Sequence, residues 1–493
     1  MGFKEDADFA RFVSMGAVGT AAVGRFLRTR HEHHPIELER YAMANKVWQT
    51  KVKRLRLPDL VCTRCGRRVE SRAKSSLGVV LSQSDVAGRA WDEGGMRADD
   101  LFAFARADLS RFPPYVSAPT FFTTAALSDA LNHARRSAPK AASEGSEVTL
   151  TWPAWTPNQS GTFQGVDDKG RLVCEWDNGK VYRYWQWRSW EEPRFAYLDP
   201  DSTITAGETI VAGVVAPPSD LRCPGETWDL AESLHSADVV DKYSAVKAAG
   251  IAGRVDLVDY LAAIARSPED WRLQLEALGS LARLDPHSWT LAISDAATDA
   301  ELPEQQRIEA TFVLSELGTP QAVEGLEMVA APTSGNPSEI RAAAAWGLGQ
   351  GSSTRPQSLL TLATDDDLLV RLHAAVAIED LPEECITVLV SWLEEGQPRK
   401  AATAAFLLQR HDRTDNLLDA YELGGAARLW SIRALGAMPS TEVRTAAGSR
   451  LTPELEGALA PGWLGSEDWL ELEGEAGVEA LDVQKIRFEP TST

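Results

Sequence analysis

Long apolar runs are missing from this chain. No stretch of its 493 residues approaches the roughly 20 consecutive apolar residues that a membrane-spanning helix needs, so no membrane partner is expected. Cysteine is scarce: five residues (Cys62, Cys65, Cys174, Cys223 and Cys385) in such a length exclude a disulfide framework and fit a reducing, cytoplasmic compartment. The opening residues MGFKEDADFARF carry charge and no apolar core, which excludes a secretory signal. Position 6 is Asp6, not the Ser or Thr that N-myristoylation requires. Positive charge is also short. The chain has 50 Lys and Arg against 71 Asp and Glu, a net charge of −21, which argues against wholesale coating of nucleic acid.

What is present is an ordinary globular composition, 44% apolar and 25% charged, in a chain too long for a single core. Three changes of character divide it into residues 1–135, 145–218 and 235–452, with an acidic tail over 453–493.

In the first region the helical period of Phe9, Phe12, Val13, Ala17 and Val18 predicts a helix over Asp6–Arg28. Gly16, Gly19 and Gly24 either weaken it or let it pack closely. A second helix is expected over Ile36–Thr50, and short strands over Val52–Leu60, Val69–Ala73 and Asp99–Arg106. From Arg40 to Lys74 there are eleven basic residues against two acidic ones. Such a run, with Lys51, Lys53, Arg54, Arg56, Arg67 and Arg68 as its candidate contacts, is the footprint of a phosphate-binding face. It is equally the pattern of a solvated face, or of a patch that docks on the protein's own acidic half.

The turn between the strands expected over Val52–Leu60 and Val69–Ala73 is Cys62-Thr-Arg-Cys65-Gly66, half of a structural zinc site by its spacing. The dense histidine cluster His31, His33, His34 is the nearest source of further ligands, giving an expected Cys2His2 site. On a strand, Glu70, Arg72 and Lys74 share one face, and a hairpin through the Cys turn brings Asp59 toward Glu70. Two carboxylates beside a cation suit a divalent metal acting on a phosphodiester.

Pro58-Asp59 followed by Glu70-Ser71-Arg72 resembles the PD-(D/E)XK nuclease superfamily, in which an acidic residue ends one strand and an acidic-x-Lys triplet lies on the next. The likeness is closest to restriction-endonuclease-like members with a zinc knuckle between the two motifs. It implies an α+β domain with Asp59 and Glu70 on Mg²⁺, and Glu39 as a further acidic residue. Arg72 stands where the family has Lys, and Arg keeps its proton near neutral pH. Lys74, one strand period on, is the alternative. One CxxC is present where that subgroup has two.

Residues 145–218 are rich in aromatic and β-branched residues. Runs at Val148–Trp152, Gly161–Val166, Leu172–Trp176, Val181–Trp187 and Gly207–Val215 are separated by turn signals such as Asp177-Asn178-Gly179. They predict a small β-barrel similar to SH3 or Tudor modules. Its tryptophans (152, 155, 176, 185, 187 and 190) are expected in the core or a seam, with base stacking as the alternative.

From Ala237 the chain is Ala- and Leu-rich and repeats. A basic residue followed by a small, apolar helix recurs at Arg272, Arg307, Arg341, Arg371, Arg399 and Arg428, 28 to 35 residues apart. Two helices per period of about 30 residues predict an α-solenoid, and the motif resembles HEAT-like repeats of the kind seen in phycobilisome lyases. The recurrent Arg is expected to pair with the acidic loop of an adjacent unit, such as Asp365-Asp366-Asp367. Pro453–Gln484 holds nine acidic residues and no basic one, and reads either as a cap on the solenoid or as a strip that masks the basic run.

Together these features predict a cytoplasmic HEAT-repeat scaffold with a nuclease-like, nucleic-acid-binding first domain. They extend to metal-dependent phosphodiester cleavage with Mg²⁺, and to a protein partner on the solenoid. The competing reading is a non-enzymatic protein–protein scaffold whose first domain is structural.

Overall fold

A computed structural model describes residues 6–38, 55, 57–86, 90–91, 95–111, 113–142, 145–267, 269–350 and 355–459. Glu39, Lys51, Lys53, Arg54, Arg56 and the tail from residue 460 lie outside the described residues. Two compact units emerge, one reaching Tyr260 and the other beginning at Leu261.

The first unit is sheet-rich. Helix α1 (Asp6–His31) precedes strands β1 (Pro35–Glu37), β2 (Leu60–Cys62), β3 (Arg68–Lys74), β4 (Val80–Ser84), β5 (Leu101–Asp108), β6 (Tyr115–Val116) and β7 (Thr120–Thr123). In the main sheet β1, β2 and β3 are successive antiparallel neighbours, whereas β5 lies parallel to β3 and pairs with β6 and β7 on its other side. Alternation along β5 splits its side chains between two cores. Leu101 and Ala103 join Val69, Val23 and Leu27 beneath α1; Phe102 and Phe104 point the other way, to Phe122, Trp91 and Trp152. Each of those buried aromatic rings contributes about 1.5–3 kcal/mol. Gly19 is what lets α1 approach: a Cβ there would lie 2.2 Å from Ala73 Cβ. The helix expected over Ile36–Thr50 is corrected at its start, where Pro35–Glu37 form β1. Pro35 occupies the first position of an edge strand, where its missing N–H costs little.

The expected boundary near residue 140 is crossed by the fold. After helix α2 (Thr124–Asp129), strands β8 (Arg135–Arg136), β9 (Lys140–Ala142) and β10 (Gly145–Thr151) follow, and β10 pairs with β4, β8 and β9. The first strand assigned to the middle barrel therefore completes the core of the first region, with Leu150 and Trp152 buried beside Val79 and Leu81.

The remaining strands are β11 (Ala154–Trp155), β12 (Gly161–Val166), β13 (Leu172–Trp176), β14 (Val181–Tyr184), β15 (Phe195–Ala196), β16 (Ser202–Ile204) and β17 (Ala212–Gly213). They form a four-stranded sheet, β14-β13-β12-β16, and a small one, β11-β17-β15, over a shared core of Phe163, Leu172, Trp176 and Ile204. Trp152, Trp176 and Trp187 are buried, whereas Trp185 is exposed between Arg171 and Arg188.

Helices α3 (Leu230–Leu234) and α4 (Val239–Ile251) belong to this unit, and α5 (Val258–Arg266) spans its end. Lys247 of α4 is fully buried and donates to the Leu38 carbonyl at 3.4 Å. Asp241 pairs with the buried Arg68. The helical array expected from about residue 235 thus has its first helices bound into the sheet-rich unit.

The second unit is a run of consecutive helices: α6 (Trp271–Leu284), α7 (Pro286–Thr298), α8 (Glu304–Leu317), α9 (Pro320–Ala330), α10 (Ser338–Leu348), α11 (Pro356–Leu362) and α12 (Leu368–Ala377). It continues through α13 (Glu383–Glu395), α14 (Pro398–Arg410), α15 (Thr414–Leu423), α16 (Gly425–Gly436), α17 (Ser440–Ala447) and α18 (Pro453–Ala458). Alternate helices stack: α6 on α8, α8 on α10 and α10 on α12 in one layer, and α7 on α9, α13 on α15 and α15 on α17 in the other. Small side chains permit this; Ala342 to Ala345 of α10 are all fully buried.

The recurrent Arg does the expected work in part: Arg272 turns back to Asp270, the cap of its own helix, and Arg371 to the loop before its own helix, whereas Arg341 and Arg399 reach an acidic loop of a neighbouring unit. Arg341 grips Asp365 with two hydrogen bonds of 2.6 and 2.7 Å, Arg371 donates to the Asp365 and Asp366 carbonyls, and Arg399 pairs with Asp366 at 2.5 Å. Arg307 donates to Asn336, which leads into α10, and Arg428 pairs with Glu454 in the first turn of α18. Two acidic residues of the tail are thereby explained: Glu454 and Glu456, which meets Arg444, hold the capping helix α18. Among the described residues no helix is long and apolar enough to cross a membrane.

Candidate metal centre

The β2–β3 hairpin forms as its turn chemistry requires. Cys62 ends β2, and its carbonyl accepts the Gly66 N–H at 2.8 Å while its own N–H reaches Arg67 O at 2.9 Å. Gly66 takes φ +70°, a left-handed conformation that favours glycine. This tight turn directs both thiols to one side.

There they meet His33 and Cys223. The ligand atoms of His33, Cys62, Cys65 and Cys223 all lie within 4.8 Å of one another, close enough to bind one metal ion. Cys62 Sγ is 3.9 Å from Cys223 Sγ, and Cys65 Sγ is 3.6 Å from His33 Nδ1. A tetrahedral zinc with Zn–S of about 2.3 Å and Zn–N of about 2.0–2.1 Å needs ligand separations of about 3.6–3.8 Å. The second coordination layer fits as well. His33 Nε2 lies 2.9 Å from Leu221 O; donating there leaves the Nδ1 lone pair for a metal. The His34 N–H donates to Cys62 Sγ at 3.3 Å. The Cys62 thiol is pulled well below its ordinary value, chiefly by the side-chain hydrogen bond from Cys65, against the opposing effect of burial, with His33 and backbone amides adding to it. Cys65 is pushed up by the same shared proton and by burial. Around the cluster, Arg97 donates to Gly66 O at 2.5 Å and is braced by the buried Asp100; Arg64 pairs with Glu226 at 2.6 Å.

The expected ligand set is therefore corrected in part. Cys62, Cys65 and His33 come together, but His31 and His34 do not join them: His31 packs its ring against Phe26 and Phe121, and His34 contributes its backbone. Cys223, 161 residues after Cys62, takes the fourth place. The only local signal for it was a lone cysteine in the proline-rich stretch Pro217 to Gly225.

The carboxylates sit on the neighbouring strands. The register Leu60↔Val69 sets Asp59, just before β2, across from Glu70 on β3. Asp59 is buried, and its Oδ2 accepts the Ser71 N–H at 2.6 Å. Glu70 pairs with Arg72 at 2.6 Å. Lys74 donates to Val80 O at 3.2 Å, and burial, with the charges of Arg72 and Lys140, lowers its pKa. Of the predicted phosphate contacts among the described residues, Arg67 is half-buried and reaches Asp220 O, whereas Arg68 is buried between Gly95 O and Asp241, where no phosphate can reach it.

No protein-family model matches the chain, and no curated protein matches it either.

Proposed function

We propose that this protein is a non-enzymatic interaction scaffold: a helical-repeat array of HEAT-like character that presents its surface to a protein partner, carried by a sheet-rich unit stapled by structural zinc. The observation that supports it best is the closed donor set. His33, Cys62, Cys65 and Cys223 supply four ligand atoms within 4.8 Å of one another, and a zinc held by four protein ligands keeps no open position for substrate. It ties the hairpin to the 217–229 segment, two stretches distant in sequence. Elemental analysis of the purified full chain tests the reading; about one zinc per chain is expected, with loss of stability on chelation. A chain that holds no zinc, and whose melting is indifferent to chelator, overturns the staple.

A second reading, a nuclease-like site, is favoured by the register that opposes Asp59 to Glu70 beside Arg72. It ranks behind because Asp59 Oδ2 is engaged by the Ser71 amide, Glu70 is neutralised by Arg72, and Arg72 cannot act as a base. Labelled DNA and RNA with Mg²⁺ or Mn²⁺ at two salt concentrations decide it. Metal-dependent cleavage that disappears in Asp59→Ala would restore the enzyme; absence of cleavage with either metal leaves the scaffold.

A further inference from the structure

Beside the Cys/His cluster the first unit holds a cleft of about 530 Å³, within the size range of small-ligand sites. Three guanidinium groups line it, from Arg28 of α1, Arg64 of the Cys turn and Arg254 after α4, together with His34, Trp228 and one acidic residue, Glu226. Three guanidiniums converge here against two carboxylates, Glu226 on Arg64 and Asp256 on Arg254, in a chain of net charge −21. Two of the three are held in place by protein contacts that leave donors to spare: Arg28 donates to Pro35 O at 3.4 Å, and Arg254 is braced by Asp256, which is outside the lining. A guanidinium carries five N–H donors, so each can still take an anion.

The fourth wall is an immobilised aromatic ring. Trp228 packs on Gly66, where an added Cβ would lie 2.8 Å from the indole. Its Nε1 donates to Ser233 Oγ at 2.8 Å, and its backbone N–H to Arg64 O at 3.0 Å. One face of the ring and its Nε1 edge are therefore engaged, which limits the rotamer freedom left to lose on binding. A fixed indole beside clustered guanidiniums is the combination that recognises a planar base joined to phosphate.

We propose that this cleft binds a nucleotide, its base against Trp228 and its phosphates on Arg28 and Arg254. The inference concerns a site separate from both the metal ligands and the Asp59–Glu70 pair. Isothermal titration calorimetry of the full chain with ATP, pyrophosphate, adenosine and a 5′-phosphorylated dinucleotide tests it. ATP is expected to bind at one site, at least tenfold more tightly than pyrophosphate or adenosine. A dinucleotide stronger than ATP would assign the site to the end of a nucleic-acid strand, and a weaker one to the free nucleotide. Arg28→Glu and Arg254→Glu, both at half-exposed or exposed positions, should each weaken ATP about tenfold or more with unchanged circular dichroism and zinc content. No heat with ATP or the dinucleotide overturns the proposal, as does ATP binding that survives both charge reversals; pyrophosphate binding as tight as ATP removes the base from it.

Discussion

The Arg341–Asp365 pair offers the sharpest test of how the helical array is held. The Asp365 side chain is 1% exposed and that of Arg341 11%, and they meet through two parallel hydrogen bonds. Removing one partner of a buried pair typically costs about 3–5 kcal/mol, because the other charge stays buried. Asp365 keeps the Asp367 N–H at 2.9 Å and the nearby charge of Arg371, so Arg341→Ala should fall at the lower end, about 3 kcal/mol. For a unit of this size, each kcal/mol moves the melting temperature by about 2–4 °C, so a loss of about 6–12 °C is expected. Circular dichroism melting of the full chain reads it. The cycle Arg341→Met, Asp365→Asn and the double variant should give a coupling energy above about 1 kcal/mol. pH supplies an independent sign. Burial raises the Asp365 pKa, but the Arg341 hydrogen bond and neighbouring charges outweigh it and hold the carboxyl below its ordinary value. The stabilisation is therefore present above about pH 4, the unfolded value, and is lost as pH falls through the lower folded one. Wild type and Arg341→Ala should converge in acid. Coupling below about 0.5 kcal/mol, or a melting difference that persists unchanged at low pH, would refute the reasoning.

Cys223→Ser should weaken zinc retention against a colorimetric chelator by more than the roughly 10–100-fold typical of a lost supporting contact. His31→Ala and His34→Ala should leave retention within a few-fold of wild type. Lys247→Ala, which removes a fully buried side chain that donates to Leu38 O, should cost about 2–4 kcal/mol in urea unfolding. Gly66→Ala sets a Cβ against Trp228 at φ +70° and should lower both stability, by at least about 1–2 kcal/mol, and zinc affinity in the same assay.

The helical array was legible because its contacts are local. Arg341 meets Asp365 24 residues on and Arg399 meets Asp366 33 residues back, contacts that stay within about one repeat of the sequence. Strands β12 and β13 were legible for the same reason: a short turn joins them, and the runs on either side of it are marked by aromatic and β-branched residues. Partners distant in sequence were not. Alternation tells which face of Val148–Thr151 is apolar, but nothing local says that its partner is Val80–Gln83 rather than the next strand of a barrel. The metal site divides along the same line. The Cys62–Cys65 half is a turn motif, while Cys223 enters from a loop that only the tertiary fold brings near. Ile36 and Glu37 failed differently: their polar-apolar mixture suits a helix, but backbone pairing to Val61 and Leu60 decides for strand.

The basic run from Arg40 to Lys74 shows why linear charge is a weak guide to a ligand surface. Each described cation in its second half has a contact inside the first unit: Arg64 with Glu226, Arg67 with Asp220 O, Arg68 with Asp241, Arg72 with Glu70 and Lys74 with Val80 O. Exposed pairs of this kind contribute at most about 1 kcal/mol each, but Arg68 is buried, and there the pairing is what makes the burial tolerable. The excess of positive charge is thus partly consumed in joining β3 to α4 and to the Cys223 segment. Two of the three cations that line the cleft, Arg28 and Arg254, come from outside the run, separated by over two hundred residues and invisible to any window along the sequence. Charge can recognise a ligand only where folding gathers it with donors to spare, and the Trp228 cleft gathers three guanidiniums from stretches that lie far apart in the sequence.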